Sequence, residues 1–196
     1  MIGAALAAVS LALAPVGELA FPRAWNGASL NGLSGLTRVA DDAYYAVRDS
    51  GGALFALTIG IDRATGMPTN CVVTGQTALA GRGDLECVAW DAARRWVWVG
   101  DEDDGSIRAF DPAMGAEHAR AAVPAVFDAF RYNRSFEALT LRPDGLEMWA
   151  CNEEALCRRE AEGRTAKKAA PVRATTPDVD DGPRATRAHG TRVRLQ

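Results

Sequence analysis

A positional repeat constrains this chain more than any other feature of its sequence. Three segments, Leu33-Ser34-Gly35-Leu36, Leu85-Glu86-Cys87-Val88 and Phe136-Glu137-Ala138-Leu139, align without gaps when anchored on Gly35, Glu86 and Glu137, a spacing of 51 residues both times. Each anchor opens an apolar stretch, GLTRVA, ECVAWD and EALTLR. A polar turn follows at Asp41-Asp42, Asp91-Ala92-Ala93-Arg94 and Pro143-Asp144-Gly145. Next comes an aromatic-rich run: Tyr44-Tyr45-Ala46-Val47, Trp96-Val97-Trp98-Val99 and Met148-Trp149-Ala150-Cys151. Each run closes on acid-rich residues, Arg48-Asp49, Asp101-Glu102 and Asn152-Glu153-Glu154. In the first two repeats a Gly-containing turn leads into a third run, at 53–59 and 106–110.

Short runs rich in β-branched and aromatic residues, bounded by Asp, Gly and Pro, read as strands. Asp104-Gly105 predicts a two-residue hairpin, because a type I′ turn needs positive φ at both central residues. Only 119–130 approaches a helical apolar stripe, and Pro124 interrupts it. A period near 50 built from antiparallel strands points to propeller blades, whereas a sandwich gives short strands without a positional repeat. The expected fold is therefore all-β and β-propeller-like, with antiparallel blades. Propellers use roughly 4–8 blades, and this chain supplies three clear repeats with the start of another. The ring is then incomplete in this chain, or a partner chain completes it.

Residues 1–14 are small and apolar and sit where a secretory h-region would, with Ala12-Leu13-Ala14 as an A-x-A signal. No basic residue precedes them and Pro15 follows directly, so a buried strand or helix is the alternative. Residues 1–20 are read as a leader segment and the protein as secreted or periplasmic. Cys71, Cys87, Cys151 and Cys157 suit an exported chain and allow two disulfides in three pairings. Cys87 and Cys151 also sit in strand-like runs, where cysteine serves as a small hydrophobe. Both readings stay open. No apolar run reaches the roughly 18–20 residues of a membrane span.

Charge is divided unevenly. Residues 1–156 carry 20 acids against 12 bases, net −8, while 157–196 carry 10 bases against 5 acids, net +5. The overall −3 excludes a protein built mainly to hold nucleic acid. Residues 157–180 lack Ile, Leu, Phe and Trp, and so read as a flexible basic insertion, a solvated linker rather than an anion-binding arm. Residues 181–196 regain strand character and read as the start of a further blade.

Several of these segments resemble a known family. Ser34-Gly35-Leu36, then Asp84-Leu85-Glu86 before Val88-Ala89, then Asn133-Arg134-Ser135-Phe136-Glu137-Ala138-Leu139 with Pro143-Asp144-Gly145, then Asn152-Glu153-Glu154-Ala155-Leu156, are similar in content and order to the phytase-like domain described as having "esterase-like activity of phytase". The likeness runs from about Pro15 to Leu156 and resumes at Asp181-Gly182-Pro183. Cys87 and Ser135 stand where that family usually has glycine, and 157–180 is an insertion against its pattern. The resemblance implies an exported β-propeller that hydrolyses a phosphoester or ester.

Equivalent positions of successive blades form rings about a propeller axis, so recurrent acids converge at one end. Asp49, Glu86, Glu102, Glu137 and Glu153 are the candidate metal ligands, and Glu86 and Glu137 the candidate catalytic residues. Clustered carboxylates raise one another's pKa unless a cation neutralises them, and hard oxygen donors favour Ca²⁺ or Mg²⁺. Ca²⁺ is the expected cofactor. Arg48, Arg134 and Asn133 are candidates for holding a small anionic substrate, since guanidinium groups clamp such oxygens in pairs. Residues 101–105 read as a hairpin turn, lacking the spacing and distal Glu of an EF-hand loop. Histidine chemistry has little to work with: only His118 and His189 occur, and Ser34 lies outside any G-x-S-x-G elbow. The five tryptophans fall mostly in strands and read as blade packing. A hydrolase is thus set against a non-catalytic propeller that binds or assembles, because fold does not dictate function.

Overall fold

The computed structural model of the chain describes residues 21–154, apart from 82, 126 and 128–133, together with 191–194. The leader-like residues 1–20 and the basic stretch 157–180 lie outside the described residues. The described chain is all-β. A short hairpin, β1 (Ala24–Trp25) and β2 (Ala28–Ser29), precedes three antiparallel sheets. Blade 1 holds β3 (Leu33–Arg38), β4 (Ala43–Arg48), β5 (Ala53–Ile61) and β6 (Pro68–Ala78), in that spatial order. Blade 2 repeats the pattern with β7 (Leu85–Asp91), β8 (Trp96–Asp101), β9 (Ser106–Phe110) and β10 (Glu117–Arg120). Blade 3 consists of β11 (Phe136–Leu141), β12 (Glu147–Asn152) and β13 (Thr191–Arg194). The edge strands β3, β7 and β11 stand side by side, with β7 between the others. This is the blade arrangement of a propeller, with the repeat of the sequence as its unit.

The structure corrects the sequence reading in three places. Thr191–Arg194 pairs with β12 as the third strand of blade 3 and does not open a further blade. The β8–β9 turn is a four-residue loop, because Asp101 pairs with Ser106, and only Gly105 takes positive φ there. The outermost strands β6 and β10 escaped the sequence reading. β10 is Glu-His-Ala-Arg, with too little apolar content to signal a strand, and a polar edge of this kind discourages sheet-to-sheet pairing.

Strand pairing also fixes which residues are equivalent. Leu33, Leu85 and Phe136 lie opposite Arg48, Asp101 and Asn152, and a bulge follows in every blade. In each blade the residue after the second strand donates its amide to the carbonyl just before the first. The bonds are Asp49 to Gly32 (2.8 Å), Glu102 to Asp84 (2.7 Å) and Glu153 to Ser135 (3.0 Å). Ser34, one residue before the sequence anchor Gly35, is therefore the structural counterpart of Glu86 and Glu137. The offset lies in the spacing of the blades: Leu33 to Leu85 is 52 residues and Leu85 to Phe136 is 51. The bulge is common to all three blades: Leu33 to Leu36, Leu85 to Val88 and Phe136 to Leu139 each spend three residues on two of the paired strand.

Apolar side chains at alternate positions fill the spaces between blades. Val47, Leu54 and Leu79 of the first repeat meet Leu85, Val88, Val97 and Phe110 of blade 2. Cys87, Trp98 and Ile107 meet Phe136, Met148 and Ala150 of blade 3. Removing this surface from water, at about 25 cal/mol per Å² of apolar area, is the main force holding the blades together. Cys87 is part of that filling, and burial pushes its thiol up to about 12. The room for its sulfur comes from Gly100, where a Cβ would lie 2.4 Å from Cys87 Sγ. Cys71, Cys87 and Cys151 are all free thiols.

Candidate functional site

The end of blades 2 and 3 where the first strands begin gathers five carboxylates. Asp84, Glu86 and Glu102 form one group, and Glu102, Glu137 and Glu153 another; within each, one carboxylate oxygen per residue lies within 4.8 Å of the others. Glu102 belongs to both and joins them. The blade geometry produces this directly. Glu86 and Glu137 are the second residues of neighbouring strands β7 and β11, while Glu102 and Glu153 follow β8 and β12. The backbone bonds to Asp84 and Ser135 hold the latter pair over the strand starts.

Glu102 is the fixed point of the cluster. It is 5% exposed, and its Oε1 accepts the Ser135 amide at 3.0 Å, tying blade 2 to blade 3. The other acids crowd one another with little compensation. Burial, a hydrogen bond with Glu86 and the charges of Glu86, Glu102 and Asp103 push Asp84 up to about 7. Its Oδ1 is buried without a hydrogen-bond partner. Burial followed by the charges of Glu86, Glu102 and Glu153 raises Glu137, and burial is also the first cause of the rise at Glu102. Arg134 supplies positive charge at the rim. It pairs with Glu153 and approaches Glu154 at 3.8 Å.

A separate buried pair stands behind this cluster. Arg108, on β9, bonds Asp101 in the protein interior, and its Nη1 reaches the Ala80 carbonyl at 3.4 Å. The Asp101 carboxylate in turn lies against Gly83, in the connection that carries Asp84. Sequence reasoning missed Arg108, since one arginine in Ser-Ile-Arg-Ala-Phe carries no motif.

Of the residues expected from sequence, Glu86, Glu102, Glu137 and Glu153 come together, with Arg134 beside them. Asp84 joins them and was not proposed as a ligand, although it begins the Asp84-Leu85-Glu86 segment. Asp49 stays outside both groups. Its carboxylate occupies the place that a Cβ on Gly32 would fill, 2.3 Å away, and Gly32 itself holds φ at +76°. Arg48 is also elsewhere, donating to the carbonyls of Ser50 (2.7 Å) and Ser29 (3.1 Å). Blade 1 therefore contributes no carboxylate to the cluster: Gly32 and Ser34 stand where Asp84 and Glu86 stand in blade 2. Asn133 lies outside the described residues. His118 stacks on Trp96 with ring centroids 5.1 Å apart, in β10 on the outer edge of blade 2. No helix among the described residues is long and apolar enough to cross a membrane.

Comparison with known proteins identifies a family. The family model "Phytase-like: Esterase-like activity of phytase" matches residues 28–194, and the chain belongs to that family. No curated protein matches it. Among solved structures, it is similar to the glutaminyl cyclase of Myxococcus xanthus, with 10% identity and a TM-score of 0.45 over 64% of this chain and 53% of that one. It is similar also to a calcium-binding protein, regucalcin, from Agrobacterium tumefaciens, with 18% identity and a TM-score of 0.43 over 69% of this chain and 41% of that one. The hydrazine synthase of Kuenenia stuttgartiensis gives 18% identity and a TM-score of 0.41 over 61% and 29%. The chain thus spans between 29% and 53% of the length of these three structures.

Proposed function

We propose that this member of the phytase-like family is a hydrolase acting on a phosphoester or ester, assisted by a divalent cation held among the carboxylates of blades 2 and 3. One observation carries the reading: five carboxylates converge at one blade end while an oxygen of Asp84 is buried without a partner. Carboxylates packed this closely destabilise the charged site unless a cation relieves them. The donor set is all oxygen, which fits a hard ion such as Ca²⁺ or Mg²⁺. Asp84, Glu86, Glu102, Glu137 and Glu153 are the residues that would hold it. When bound, such an ion supplies positive charge to the oxygens of an anionic substrate.

The chain's own groups do the rest. Arg134 orients the negative end of the substrate from the rim, where guanidinium geometry suits two oxygens at once. Glu137, at the start of β11 beside Glu102 and Glu153, accepts a proton from attacking water. Glu86 stands between Asp84 and Glu137, and before a cation binds its charge is among the causes that raise both.

The test is hydrolysis of p-nitrophenyl phosphate and p-nitrophenyl acetate with Ca²⁺ and with chelator. Glu86→Gln and Glu137→Gln keep side-chain size and remove charge. Turnover by the wild type, lost by about 100-fold in either variant, supports the proposal. Turnover that neither variant changes refutes it. A chain that binds Ca²⁺ but turns over neither substrate leaves the binding-module reading in its place.

A further inference from the structure

The connection from blade 1 to blade 2 crosses the buried Arg108–Asp101 pair before it reaches Asp84. Gly81 and Gly83 bring its backbone directly onto that pair. A Cβ on Gly81 would stand 3.1 Å from Arg108 Nη1, and one on Gly83 only 2.0 Å from Asp101 Oδ2. Arg108 Nη1 also donates to the Ala80 carbonyl at 3.4 Å. Asp101 is itself held, its Oδ1 accepting the Asp103 amide at 3.1 Å. The chain then enters the cluster. The Asp84 carbonyl accepts the Glu102 amide at 2.7 Å, and the Asp84 carboxylate joins those of Glu86 and Glu102. Ala80, Gly81 and Gly83 thus rest on two side chains that belong to neither carboxylate group.

Blade packing does not call for such a pair. Ala46 and Val99 share one register position, opposite Leu36 and Val88, and across the next ladder they face Phe55 and Arg108. Blade 1 therefore has Phe55, fully buried among apolar side chains, where blade 2 has Arg108. In blade 2 the pair is poorly compensated. The Arg108 and Asp101 side chains are 7% and 3% exposed, and Arg108 Nε is buried without a hydrogen-bond partner. Burial raises Asp101 in spite of the Arg108 charge. Arg108 lies over the Phe110 ring at 5.3 Å and comes within 3.8 Å of Glu117, which Arg120 already engages at 2.6 Å. A buried pair with an unmet donor is generally no more stabilising than apolar side chains of like volume. What it supplies is a fixed position, because a planar guanidinium and a carboxylate meet in few geometries.

We propose that Arg108 and Asp101 are positioning residues for the carboxylate site: the pair sets the path of the connection at 80–84 and so brings Asp84 to Glu86 and Glu102. This role rests on the cation-holding reading of the site, and it places control of cation affinity in a pair that does not ligate the cation. Gly83 is part of the same arrangement. A side chain there would push the connection off the Asp101 carboxylate and carry Asp84 with it.

Two measurements on the whole chain test this, one of them independent of any cation. The first is amide hydrogen exchange in chelator, read at Glu102, which bonds Asp84, and at Glu153, which makes the equivalent bond to Ser135 in blade 3. The second is calorimetric titration of Ca²⁺. One variant combines Arg108→Met with Asp101→Asn, removing a charge of each sign and leaving the net charge of the region unchanged. The other, Gly83→Ala, keeps every charge. In both, exchange at Glu102 is expected to rise by about 10-fold or more with Glu153 unchanged, and the Ca²⁺ dissociation constant to rise by about 10-fold. If the double variant loses protection at Glu153 as well, Gly83→Ala alone decides. Unchanged exchange at Glu102 overturns the proposal whether or not Ca²⁺ binds. So does faster exchange at Glu102 with Ca²⁺ affinity kept, because the place of Asp84 then does not matter to the site. A wild type that binds no Ca²⁺, with Glu102 loosened in the variants, refutes the cation reading and supports the positioning of Asp84.

Discussion

Asp91 and Asp84 stand at opposite ends of β7, and the protein surrounds them differently. Asp91 is fully partnered. Its Oδ1 accepts the amides of Ala93 (3.1 Å) and Arg94 (3.0 Å), and its Oδ2 accepts Arg94 Nη1 (2.8 Å) and Trp98 Nε1 (3.4 Å). Arg94 also reaches across to the Gly145 carbonyl at 2.9 Å, fastening the blade 3 hairpin. Asp84 has two glutamates as its closest acidic company and an oxygen with no partner. Burying a carboxylate is costly unless hydrogen bonds and an opposite charge offset the lost hydration. At Asp91 the offset is built into the fold; at Asp84 it is left to something that binds.

Substitutions that remove each charge sharpen the contrast. Asp91→Ala leaves two amides, the Trp98 indole and Arg94 without their acceptor, and is expected to cost about 2 kcal/mol in urea unfolding, with the partial exposure of Arg94 keeping the loss below that of a fully buried pair. Asp84→Asn and Glu102→Gln remove repulsion instead, so in chelator each is expected to leave stability unchanged or raise it by up to about 1 kcal/mol. A loss at Asp84→Asn equal to that at Asp91→Ala breaks the comparison.

The smaller effect is with pH. Asp84, Glu102 and Glu137 all have folded pKa values raised by burial and by neighbouring carboxylates. The folded state then holds protons more tightly than the unfolded one, so stability is full at low pH and falls as pH rises from about 4 to the value near 7 at Asp84. Asp62, Asp111 and Asp144 are lowered by hydrogen bonds to nearby groups, and their opposing contribution is complete once pH exceeds about 4. The melting temperature in chelator is expected to fall across this window, and less steeply in Asp84→Asn. A flat or rising profile contradicts the crowded-carboxylate account.

Much of this was legible in the sequence because blade strands are short, apolar and bounded by turn residues. The acids after β8 and β12 were legible for the same reason, as they close each aromatic run. Asp49 misled because the repeat gives it the place of Glu102 and Glu153, yet it is one methylene shorter and lies over Gly32 within its own blade. Asp84 was missed because its position does not repeat as an acid, with Gly32 and Ser135 as counterparts. Such a position is found only through strand pairing. The one-residue offset of blade 1 was hidden likewise, since only the pairing shows that Leu33, and not Ser34, is the counterpart of Leu85.

Calorimetric titration of Ca²⁺ into the chelator-stripped chain tests the central claim most directly. The wild type is expected to bind saturably and to melt higher when loaded, because only the folded blades bring the ligands together. Glu86→Gln and Glu137→Gln are expected to weaken binding by about 10-fold or more, while Asp91→Asn, at the other end of β7, binds as the wild type does. No heat and no rise in melting temperature, or equal binding by all three variants, contradicts the account and returns the five carboxylates to a structural role.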